Sequence, residues 1–101
     1  MKSPVKRSSK EAVDGRLRKL RGLILKAQGD RALDALLSDL LTPHELVSIA
    51  ERIAILEALG RGDTLRTVAS KVHVSMSKVV RGSAVVQYGK SDWKKIATSR
   101  P

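Results

Sequence analysis

Apolar residues first recur with a sustained period at Leu17. Leu17, Leu20, Ile24 and Ala27 lie three and four positions apart, the spacing of one helical face. Gly29-Asp30 is expected to end that helix. A second helix follows, with Leu33, Leu36, Leu37, Leu40 and Leu41 on one broad stripe. Thr42-Pro43-His44-Glu45 then reads as a helix start. Thr42 can cap, Pro43 has its φ pre-set for the first helical position, and Glu45 can close a capping box. Behind it Leu46, Ile49, Ala50, Ile53, Leu56 and Leu59 predict the core face of a third helix. Gly60-Arg61-Gly62 stops it, with a glycine placed for the C-terminal cap. No period-two segment of useful length occurs before residue 63, so the expected fold is all-α.

Residues 63–83, DTLRTVASKVHVSMSKVVRGS, change the period twice. Thr64 or Asp63 caps a short helix whose expected buried positions are Leu65, Val68, Ala69 and Val72. His73-Val74 interrupts it, and Ser75 caps a second helix carrying Met76, Val79 and Val80. Two helices of this length joined by three or four residues predict a helix-turn-helix. Ala69 is small where the helices would approach, Val74 can plug the corner, and Val79 can return to the core. The turn position falls on His73, which is expected at positive φ, a conformation His tolerates better than most side chains. An αα-hairpin inside an ordinary bundle would show the same periods. After Gly89, Ser91 is the expected cap of a short last helix with Trp93 and Ile96.

Composition narrows the chemistry. The chain has 101 residues and a formal net charge of +10, which favours one domain and an anionic partner. Two aromatics, Tyr88 and Trp93, are too few for the stacking platforms of single-strand binders. The absence of Cys excludes disulfides, thiolate zinc sites and a cysteine nucleophile. His44 and His73 are isolated, so neither a metal site nor a catalytic triad is expected, and no enzyme is expected. No apolar run approaches the ~20 residues of a membrane helix, so the expectation is a cytoplasmic protein with no membrane partner.

The charge is unevenly placed. Residues 1–30 hold nine basic and three acidic side chains, residues 31–60 two and five, and residues 61–83 five and one. Residues 1–13, MKSPVKRSSKEAV, lack a sustained period and read as a flexible basic arm. The expected organisation is that arm, a helical core and dimerisation region over 14–60, a helix-turn-helix over 61–88, and a short helix and tail over 89–101. Thirteen Leu make apolar stripes wide for so short a chain, which favours burial against a second copy.

A basic helix-turn-helix points to double-stranded DNA, with the start of the second helix in the major groove. The expected contacts there are Ser75, Met76, Ser77 and Lys78, with Val80 and Arg81 one turn on. Arg66 is long enough to reach a base or the backbone, while Thr64 and Thr67 suit phosphates. Arg61 and Arg81 add electrostatic affinity, as does Lys71.

Leu40-Leu41-Thr42-Pro43-His44-Glu45, then Arg52-Ile53-Ala54-Ile55-Leu56-Glu57, then a helix-turn-helix ending Arg81-Gly82-Ser83, together resemble the Trp repressor family over roughly residues 33–88. The resemblance implies an intertwined all-helical homodimer and a repressor whose two reading heads lie about one DNA turn apart. It also implies L-tryptophan, or a similar small amino-acid effector, as corepressor. By that resemblance Arg52 and Arg81 would flank the indole, with Arg81 also attracting the carboxylate. Thr42 would assist at the carboxylate, Leu41 of the partner chain would offer a carbonyl to the ammonium, and Gly82 would permit close approach. Val85 stands where the family often has a hydroxyl. A guanidinium suits both a carboxylate and an aromatic face on chemical grounds alone. Arg52 can instead form an ion pair with Glu51 or Glu57, and Arg81 can be a plain phosphate contact.

Two alternatives stay open. The ending Val86-Gln87-Tyr88-Gly89 resembles a wider set of Trp-repressor-like proteins, which allows a DNA-binding protein with no amino-acid corepressor. The basic N-terminal segment allows an architectural nucleic-acid-binding module that does not read sequence.

Overall fold

The computed structural model describes residues 5–99, with side chains from Ser9 onward. Among these residues there is no strand, and six helices follow in order: α1 Val5–Lys26, α2 Gly29–Leu40, α3 Pro43–Gly60, α4 Leu65–Val72, α5 Met76–Tyr88 and α6 Trp93–Thr98. They divide into two compact units, one ending at Thr42 and one beginning at Pro43. Leu41 is extended, and Thr42, which precedes Pro43 and so is disfavoured in the α region, lies outside any helix. The division therefore falls inside the stretch expected to form one core region over 14–60.

The first unit is α1 and α2. The arm expected to be flexible over 1–13 is corrected here: from Val5 it is helical and continuous with the periodic stretch. Lys, Glu and Ala are good helix formers, and once a helix exists each further residue adds a hydrogen bond. Residues 1–4 of that expected arm lie outside the described residues. Gly29-Asp30 starts α2 rather than ending α1, whose last residue is Lys26. Gly29 takes φ +86°, a conformation L side chains rarely adopt, and Asp30 supplies the negative charge a helix N-terminus favours. No described side chain of this unit is buried. Leu17 is 51% exposed, and Leu23, Ile24, Leu25 and Leu40 are exposed too.

In the second unit α4, α5 and α6 all pack on α3. Ile55 and Ala58 of α3, Val68 of α4 and Val79 of α5 are the buried core, with Leu59, Ala69, Val72 and Val74 packed against it. Val68 and Val79 are fully buried, each contributing roughly 1.5–3 kcal/mol by burial. The face of α3 is therefore not the one expected. Ile49, Ala50 and Ile53 are exposed, Leu46, Leu56 and Leu59 are half-buried, and the deepest contacts come from Ile55 and Ala58. The cause is that α3 is apolar on more than one side, and its own chain covers only one of them. Leu65, expected to be buried, is exposed at the open end of α4.

Turn chemistry positions the remaining elements. At the end of α3 the Asp63 N–H donates to the Ala58 carbonyl (3.1 Å) and the Gly62 N–H to that of Leu59 (3.0 Å). This is a Schellman motif with Gly62, φ +101°, at its left-handed position. The cap of α6 is Asp92 rather than Ser91: its Oδ1 accepts from the Lys95 N–H at 3.1 Å. α6 lies against α3 of its own chain, so closely that a Cβ at Gly60 would run into the Trp93 carbonyl.

Candidate nucleic-acid interface and the groove beside it

The interface starts from two capped helices and a three-residue turn. Thr64 is the N-cap of α4: its Oγ1 accepts from the Thr67 N–H at 3.2 Å and donates to Thr67 Oγ1 at 2.9 Å. The helix ends at His73, whose φ of 61° and ψ of 52° are left-handed, as the sequence predicts. His73 and Val74 both donate their N–H groups to the Ala69 carbonyl, the latter at 3.2 Å. This turns the chain, and Ser75 then caps α5 by accepting from the Lys78 N–H at 3.3 Å. Ser75 and Ser77 share a hydrogen bond of 3.2 Å between their hydroxyls. Val68 and Val79 meet in the core behind this turn, which fixes the two helices on each other and on α3.

All ten residues expected to contact DNA are exposed: Arg61, Thr64, Arg66, Thr67, Ser75, Met76, Ser77, Lys78, Val80 and Arg81. Ser75, Met76 and Ser77 surround the first turn of α5, and Met76 leaves 43% of its surface free. Lys71 is turned aside to Asp63, Nζ to Oδ2 at 3.3 Å. Lys78, expected to offer its ammonium to a guanine edge or a phosphate, is exposed but has a partner within the chain. Its Nζ lies 2.7 Å from Glu51 Oε1 on α3, an ion pair across 27 positions of sequence. Glu51 thus pairs with Lys78 and not with Arg52, and Arg52 has no ion-pair partner among the described residues.

Beside this pair α3 and α5 enclose a groove of about 260 Å³. Ser48, Glu51, Arg52, Ile55 and Leu56 come from α3, and Lys78, Arg81, Gly82 and Val85 from α5. The helices approach closely because Gly82 has no side chain: a Cβ there would stand 2.6 Å from Ile55 Cγ2. Arg52, Arg81, Gly82 and Val85, which the resemblance assigned to a ligand, are brought together here. Leu41 and Thr42 belong to the other compact unit. Ser48, Glu51, Ile55 and Leu56 were missed as lining residues, and Lys78 was expected only at DNA. A signal existed, since 48, 51, 52 and 55, like 78, 81, 82 and 85, are spaced as one helical stripe. Chemically the groove offers two guanidiniums for a carboxylate and an apolar wall of Ile55, Leu56 and Val85 for its body. Its volume is near the lower end for small-molecule pockets.

The described residues hold no group of three or more His, Cys, Asp and Glu able to bind a metal, and none of their helices is long and apolar enough to cross a membrane. The second unit is thus all-helical and exposes the capped start of α5, with Lys78 paired to Glu51 beside it. Comparison with known families matches residues 15–100 to the Trp repressor protein family, and the chain belongs to that family. The family is one of DNA-binding transcription regulators rather than enzymes. No curated protein and no solved structure matches the chain.

Proposed function

We propose that the protein is a homodimeric, sequence-specific transcriptional repressor whose α4 and α5 form a helix-turn-helix reading head. The observation that carries this is the first turn of α5. Ser75, Met76 and Ser77 are exposed there on a helix start held rigidly from behind by buried Val79. That is the placement needed for short side chains to reach base edges in the major groove. The dimer reading rests on uncovered apolar faces. Leu17, Ile24 and Leu40 in the first unit, and Val47, Ile49 and Ile53 along α3, are exposed in the single chain. Faces of this kind on several helices call for a partner surface.

The test is selection of binding sites from a randomised duplex pool, followed by fluorescence anisotropy on the selected site and a scrambled one at several salt concentrations. A repressor selects a two-fold symmetric site and prefers it by 10³-fold or more, roughly the lower range for specific binders. Equal affinity for every duplex overturns the reading and favours the architectural alternative. Deleting residues 1–13 then separates the two, because a repressor keeps its preference and loses mainly affinity. Sedimentation checks the dimer.

The groove between α3 and α5 is read as an effector site for a small carboxylate with an apolar body, L-tryptophan being the first candidate. Arg81 and Arg52 would meet the carboxylate and an aromatic face, with Gly82 admitting the ligand close to the helix. Calorimetric titration with L-tryptophan, repeated on Arg81→Ala, tests this. Heat that vanishes in the variant is expected, and no heat at millimolar ligand overturns the effector assignment while leaving DNA binding untouched.

A further inference from the structure

Lys78 stands at the third position of α5, beside the residues that present the reading surface. A lysine there that was free would extend into solvent or toward a phosphate. Instead its ammonium turns onto α3 and meets Glu51 at 2.7 Å, and both side chains line the groove. Glu51 has no other hydrogen bond or ion pair among the described residues, and neither Arg52 nor Arg81, which line the same groove, is paired with it. The carboxylate is therefore dedicated to the one cation nearest the start of α5. Its side chain is 31% exposed and that of Lys78 59%, so the pair is partly solvated and readily exchanged for another anion.

We infer that Glu51 is a positioning residue that restrains DNA binding: it holds the Lys78 ammonium on the groove side of α5, and duplex DNA must take Lys78 away from it. This rests on the DNA-binding reading above. A phosphate that captures Lys78 breaks one protein ion pair, so the net gain from this lysine is smaller than that of a free one. Glu51→Gln removes the competitor and leaves Lys78 committed to nothing. Since partly exposed pairs are worth little, the expected gain is modest, about two- to five-fold in affinity per reading head. The freed lysine also adds to counterion release, steepening the slope of log K against log[salt] by about 0.9 per head.

The experiment measures Kd by fluorescence anisotropy for the full chain on its selected duplex at four salt concentrations. It compares wild type, Glu51→Gln, Lys78→Gln and the double variant, with circular dichroism confirming that each is folded. The expected result is tighter binding and a steeper salt slope for Glu51→Gln, with both changes absent when the same substitution is made in the Lys78→Gln background. The cycle removes the general effect of deleting a negative charge, which would persist in both backgrounds. An unchanged or weaker Kd for Glu51→Gln, or an equal gain in both backgrounds, overturns the inference while wild-type binding stands. Failure of the wild type to bind any duplex overturns the DNA-binding reading and this inference with it.

Discussion

Gly82→Ala tests the packing on which both the reading head and the groove depend. Gly82 is buried in the interior of α5, where glycine costs roughly 0.8–1 kcal/mol relative to alanine. In open space the substitution would therefore stabilise the protein by about that amount. Here the new methyl group would stand 2.6 Å from Ile55 Cγ2 and 3.4 Å from Leu59 Cδ1. Ile55 is only 3% exposed and sits among Ala58, Val68 and Val79, so it has little room to retreat. Overpacking a core typically costs 1–3 kcal/mol, which leaves a net destabilisation of about 1 kcal/mol after the helix-propensity gain. For a domain this size that lowers Tm by about 4–8 °C at fixed protein concentration. Thermal denaturation followed by circular dichroism reads it. Gly15→Ala is the control, because Gly15 is also inside a helix but a Cβ there meets nothing within 4 Å; that variant should gain stability. In an Ile55→Ala background the clash disappears, and Gly82→Ala should turn from destabilising to stabilising. A rise in Tm for Gly82→Ala in the wild-type background, matching that of Gly15→Ala, would refute the claim that α5 rests directly on α3 at this glycine.

Other outcomes follow from the same geometry. Ser75→Ala removes the cap that accepts from the Lys78 N–H and should cost about 1 kcal/mol in urea denaturation; no loss there would show that the α5 start is held by other contacts. His73→Gly relieves a left-handed side chain and should leave stability unchanged or raise it slightly, whereas His73→Val should lower it by more than 1 kcal/mol because a β-branched residue tolerates that φ poorly. If both variants melt alike, the left-handed turn is absent in solution. Val68→Ala deletes two methyl groups from a fully buried site and should destabilise by about 2 kcal/mol, while Val80→Ala, on an exposed position of α5, should change stability by less than about 0.5 kcal/mol. Equal effects at the two valines would place the core elsewhere.

Local chemistry made most helix ends of the second unit legible in the sequence. The Pro43 start of α3, the glycine stop after it, the Thr64 and Ser75 caps and the left-handed His73 each depend on a few adjacent residues. Short-range rules describe such features well, because the groups that satisfy a helix end come from the same turn of chain. The exposure of Ser75, Met76 and Ser77 was legible for the same reason, since it follows from where α5 begins. The extent of α1 was not. Residues 5–13 have no apolar period, and their helicity comes from propensity and from continuation of the helix behind them.

What the sequence by itself determined, then, is the order of the helices, the stop of α3, and the capped starts of α4 and α5. What only the tertiary structure decided is which side of each helix faces which neighbour. α3 carries apolar residues nearly all round, so its period could not distinguish the Ile53 side from the Ile55 side. Burial against α4, α5 and α6 settled that choice. The pairing of Glu51 with Lys78 and the four groove residues missed at first belong to the same category. Each depends on two helices that are distant in sequence meeting at one glycine, and periodicity along a single helix contains no term for that meeting.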